Sequence, residues 1–87
     1  MKLWIVTAVL LASAASANAQ DQCESLWLER NQFYKDAGYC FATAAAIRTF
    51  GNAGCIYTDQ NEVPLSNYAR SRIARIVRAE RALGCRR

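Results

Sequence analysis

The chain has 87 residues, a net charge of +4, four cysteines and no histidine. Its length leaves room for a single domain, and a domain of this size buries only about 60% of the surface its unfolded chain exposes, so the core needs a covalent or metal staple. The missing histidine removes the commonest general base and the commonest metal ligand.

Met1-Lys2 is followed by an uncharged run over 3–12 and then by small residues closing on Ala17-Asn18-Ala19. A basic start, an apolar middle and a small-residue site form an export signal, with cleavage expected after Ala19. The strongly apolar core is only about half of the roughly 20 residues a membrane span requires. Gln20-Asp21-Gln22 before Cys23 lacks the small and aliphatic residues of a lipid-attachment site. The expected product is residues 20–87, secreted or periplasmic, one domain with no transmembrane span.

Leu26, Trp27, Arg30, Phe33, Tyr34 and Ala37 recur at helical spacing and predict an amphipathic helix over 24–37, stopped by Gly38. Thr43 is placed to cap a short helix over 44–50 that closes on Gly51, and Gly51 with Gly54 keeps the turn to Cys55 compact. Asp59, Asn61, Glu62 and Pro64 mark 56–65 as irregular. Ser66 then caps a helix from Asn67 to about Leu83, ended by Gly84. No alternating strand pattern competes. The expected fold is all-α, a small disulfide-stapled bundle of two long helices and one short helix.

Cys23, Cys40, Cys55 and Cys85 all lie beyond the signal, in a chain bound for an oxidising compartment, and read as two disulfides. Three pairings are open from sequence; the helix reading favours Cys23 with Cys85, which bracket the domain, and Cys40 with Cys55, which bracket the short segment between the longer helices. Structural zinc draws its ligands in close pairs, which these wide gaps do not offer. No metal or cofactor is expected.

At 100° per residue, the last helix places Ala69, Ile73, Ile76, Val77 and Leu83 on one side, with Arg70, Arg72, Arg75, Arg78 and Arg81 spread over the other. Glu80 falls near the centre of the apolar side, and Arg30 falls in the middle of the first helix's apolar stripe. An unpaired charge in a core is strongly disfavoured, so an Arg30 to Glu80 ion pair between the two helices is expected.

From Ser66 onward seven arginines face one acid, whereas 20–65 carries three basic and six acidic residues. Such an arginine face attracts planar anions, and the partners it suggests are an anionic cell-wall component or an acidic protein. The plainer reading is a solvated face that maintains solubility. Nucleic acid fits poorly with export and with the absence of aromatic residues among the arginines. Membrane insertion is disfavoured because the apolar stripe is needed for the core.

Catalysis lacks its parts. Ser25, Ser66 and Ser71 have no visible base, and carboxylate pairs such as Glu24 with Glu29 or Asp59 with Glu62 occur in any chain. Asp59-Gln60-Asn61 starts like a calcium loop but lacks the required glycine and the distal glutamate. The chain is read as not an enzyme. Trp27, Phe33, Tyr34, Tyr39, Phe41, Phe50, Tyr57 and Tyr68 are expected mainly in the core.

Leu26-Trp27-Leu28-Glu29-Arg30-Asn31-Gln32-Phe33-Tyr34, running into Gly38-Tyr39 and Phe41, resembles the signature of the YARHG domain family, named for a Tyr-Ala-Arg-His-Gly stretch after a helix of Leu-Trp-x-x-Arg-Asn type. The resemblance runs more loosely through Pro64-Leu65-Ser66, Ile73 and Ile76, and covers about 23–85. Tyr34 and Gly38 keep the ends of the named stretch, and Lys35, Asp36 and Ala37 stand in its middle; Leu26, Trp27, Arg30, Asn31, Tyr39 and Phe41 complete the shared positions. The resemblance implies an extracytoplasmic bacterial domain, often at the cell envelope, without established catalytic activity, and the cysteines look like an elaboration of this branch. The functional expectation is an envelope-associated binding or structural module. Alternatives are a secreted inhibitor or effector acting through the arginine face and, more remotely, a small hydrolase.

Overall fold

In the computed structural model, residues 7–86 are described, with side chains from Asn18 onward. Three α-helices follow in order: α1 over Thr7–Asp36, α2 over Ala44–Phe50 and α3 over Asn67–Leu83. A single 3-10 turn, Gln60–Glu62, lies in the segment expected to be irregular. Residues 1–6 of the expected export signal lie outside the described residues.

The first helix departs from the sequence expectation at its start. It is already helical at Thr7, where the described residues start, rather than only from residue 24, and it runs unbroken through the bond after Ala19. The physical reason lies in the intervening sequence, which is rich in alanine and contains neither glycine nor proline, so nothing in it stops a helix that the domain has nucleated. At the other end it stops at Asp36, and Gly38 takes φ +96°, a conformation open to glycine and strained for side chains. The other two helices have side-chain caps. Thr43 accepts from the Ala46 amide and Ser66 from the Ala69 amide.

α3 ends in a Schellman motif: Gly84 is left-handed, its amide bonds back to Arg81 O, and the Cys85 amide reaches Glu80 O at 2.9 Å. This reversal returns Cys85 to α1, where it is bonded to Cys23; Cys40 is bonded to Cys55. Asp59, read as the start of a calcium-like loop, instead accepts from the Asn61 amide and caps the 3-10 turn.

α1 packs chiefly along α3, with α2 against its other flank. The core is thin. Trp27, Phe41 and Ala46 form its centre, with Tyr34, Tyr39, Ala45 and Phe50 packed around them, while Val63, Ala69 and Ile76 are buried towards α3. Ring contacts continue from Trp27 to Phe50 (5.9 Å between centroids), Phe50 to Phe41 (5.2 Å), Phe41 to Tyr39 (5.2 Å) and Tyr39 to Tyr34 (5.8 Å). Tyr68 differs: it touches Phe33 edge-on yet is 69% exposed.

Among the described residues there is no strand, only one isolated bridge between Tyr39 and Tyr57. Around it Gly38 O accepts from the Ile56 and Tyr57 amides, the Cys40 amide donates to Tyr57 O, and the Asn52 side chain holds Phe41 by both its amide (2.7 Å) and its carbonyl (3.0 Å). The Cys40 to Cys55 bridge closes this same tie.

Candidate functional site

Two surfaces emerge from the packing. The first is a cleft of about 390 Å³ between α1 and the segment leading into α2. Trp27, Arg30 and Asn31 come to it from one face of α1, because positions three and four apart share a helix face. Tyr39, Phe41 and Thr43 come from the connector that Asn52 and Tyr57 hold in place, and Gln60 stands at its edge.

Arg30 donates through Nε to Glu80 Oε1 at 2.9 Å and through Nη2 to Oε2 at 3.0 Å, a side-on bidentate pair with the two side chains 17% and 10% exposed. This contact brings the charge on the apolar face of α1 onto the charge on the apolar face of α3. Asn31 is buried, and its Nδ2 donates to Trp27 O one turn back.

The second surface is the outer side of α3. Arg70, Arg75, Arg78 and Arg81 are exposed, and none of the four has a hydrogen-bond or ion-pair partner among the described residues. Arg72 belongs to a different environment. It is half-buried and ion-paired with Glu29 of α1, which holds its guanidinium pKa above the ordinary value, first through the hydrogen bond and then through charge attraction. The free arginine face is therefore smaller than the composition of the helix suggests, and Glu29 is committed to a cation.

Residues 2–81 match the model of the YARHG domain. The chain belongs to the YARHG domain family. No curated protein and no solved structure matches it. In this YARHG domain the stretch that resembles the named motif, 34–38, closes α1: Tyr34 O accepts from the Tyr39 amide, and Gly38 supplies the positive φ with the Tyr57 ring 3.5 Å from where a Cβ would stand. Between them Lys35 donates to Gly51 O and Asp36 accepts from Gln32.

Of the positions that resemble the family signature, Trp27, Arg30, Asn31, Tyr39 and Phe41 converge on the cleft. Leu26 does not. It lines a separate shallow depression with Ala79 and Leu83. Asn52 carries no functional signal in the sequence, and Gln60 stands there only within the calcium-like Asp59-Gln60-Asn61 stretch. Asn52 follows a turn glycine and so reads as a loop residue; only the fold shows that its amide completes the hydrogen bonds of Phe41.

Proposed function

We propose that this YARHG domain is a non-enzymatic, extracytoplasmic binding module, residues 20–87 after removal of the N-terminal segment, that engages an anionic partner through the outer face of α3. Family membership and the three-part N-terminus support the compartment. The observation that carries the binding reading is the set of four exposed, unpartnered guanidiniums at Arg70, Arg75, Arg78 and Arg81. Arg75, Arg78 and Arg81 recur every third residue, each about 4.5 Å further along the axis. Such a ladder suits an extended anion better than a point charge.

Arginine presents a planar fork to carboxylate or phosphate groups, and a row of them raises the local concentration of anions. An anionic wall component is the partner class this favours. The test is capture of envelope material on immobilised protein at low and moderate salt. Binding to insoluble wall material that is lost as salt rises agrees with the reading, because exposed charges are screened beyond about 8 to 10 Å at physiological ionic strength. Capture of one discrete protein that persists in salt would instead favour a secreted inhibitor or effector.

A further inference from the structure

The cleft on α1 contains no residue of the arginine ladder, and it holds hydrogen-bonding capacity that the fold does not use. Asn31 is 7% exposed and spends Nδ2 on Trp27 O, leaving Oδ1 as an acceptor. Among the described residues no side-chain nitrogen or oxygen is both fully buried and without a partner, so this oxygen keeps some exposure, and Asn31 is one of the residues that line the cleft. Arg30 shares that lining, and Glu80 takes its Nε and Nη2 and leaves Nη1 as a donor. Trp27, Tyr39 and Phe41 supply apolar wall between these polar points.

A donor and an acceptor from neighbouring residues of one cleft lining, with an apolar wall, match a secondary amide, whose carbonyl accepts, whose N–H donates and whose methyl or methylene packs on the wall. The pairing of Arg30 with Glu80 keeps the cleft close to neutral, so a charged ligand has no advantage there. An extended peptide would bring its amides as a strand, which requires a free backbone edge. That edge is spent: the Tyr39, Cys40 and Phe41 amides donate to Tyr34 O, Tyr57 O and Asn52 Oδ1. Thr43 and Gln60 at the rim instead offer side-chain groups suited to hydroxyls.

We propose that this cleft is a second, independent binding site, for the acetamido group of an N-acetylated amino sugar. The carbonyl of the ligand accepts from Arg30 Nη1, its N–H donates to Asn31 Oδ1, and the sugar ring covers Tyr39.

Titration of the folded, oxidised protein with N-acetylglucosamine, followed by two-dimensional NMR, tests this directly. The expected result is saturable shifts of the Trp27 indole and Asn31 side-chain amide signals with a Kd on the order of millimolar, as befits a small ligand. Glucosamine, glucose and an N-acetylated dipeptide amide should each bind at least about tenfold more weakly, since each lacks either the amide or the ring. Ala42→Phe, at an exposed position on the cleft wall, should abolish the shifts while leaving the fold intact by circular dichroism. Asn31→Ala should weaken binding about fivefold or more. Arg78→Glu, on the other surface, should not change sugar binding. Absence of saturable shifts, equal response to glucose, tighter binding of the dipeptide amide, or undiminished binding by Ala42→Phe would each overturn the assignment.

Discussion

Glu80 shows how one residue ties this small fold together. Its carboxylate accepts from Nε and Nη2 of Arg30 and its carbonyl receives the Cys85 and Gly84 amides. Removing one partner of a largely buried pair leaves the other charge uncompensated, so Arg30→Gln and Glu80→Gln should each destabilise the protein by about 3 kcal/mol. Chemical denaturation reads this, and a double variant costing clearly less than the two single losses together would reveal the coupling. Asn52→Ala removes two hydrogen bonds to Phe41 and should cost about 2 kcal/mol by the same measurement. The Arg30 and Glu80 positions are legible in the sequence because both charges fall on apolar helix faces. Asn52 is not, because its partner is a backbone eleven positions away whose path only the fold determines.

At the scale of elements, the caps were readable and the first helix boundary was not. Thr43, Ser66 and Gly84 stand where short-range chemistry requires them, so α2 and α3 follow from local sequence. The upstream part of α1 is a run of alanine-rich sequence whose composition reads equally as helix and as export signal, and amphipathic periodicity begins only near Leu26. The connector from Gly38 to Phe41 was legible only as a break; its hydrogen bonds to Asn52 and Tyr57 are non-local. The two bridges secure these elements unequally. Cys23 and Cys85 are separated by 62 positions and Cys40 and Cys55 by 15. On the loop-entropy account, replacing both cysteines of the outer bridge by serine should cost about 4 kcal/mol and those of the inner bridge about 3 kcal/mol. Thermal unfolding of the two double variants checks the order, and a larger loss from the inner bridge would contradict it.

The whole molecule combines a thin core with a one-sided distribution of charge. Trp27, Phe41 and Ala46 form too small a centre to hold three helices unaided, which gives the disulfides and the Arg30 to Glu80 pair their structural importance. The surviving arginines are those that no carboxylate neutralises, and composition alone could not separate them from Arg72, whose partner Glu29 comes from another helix. The proposed binding depends on that face rather than on net charge. Arg78→Glu and Arg48→Glu change the charge equally, one on the ladder and one on the exposed side of α2. The decisive measurement is the affinity of each folded variant for dextran sulfate at fixed moderate salt. Arg78→Glu should weaken binding by about tenfold and Arg48→Glu by about twofold or less, because screening confines each charge to its own neighbourhood. Equal losses from the two substitutions would contradict the account.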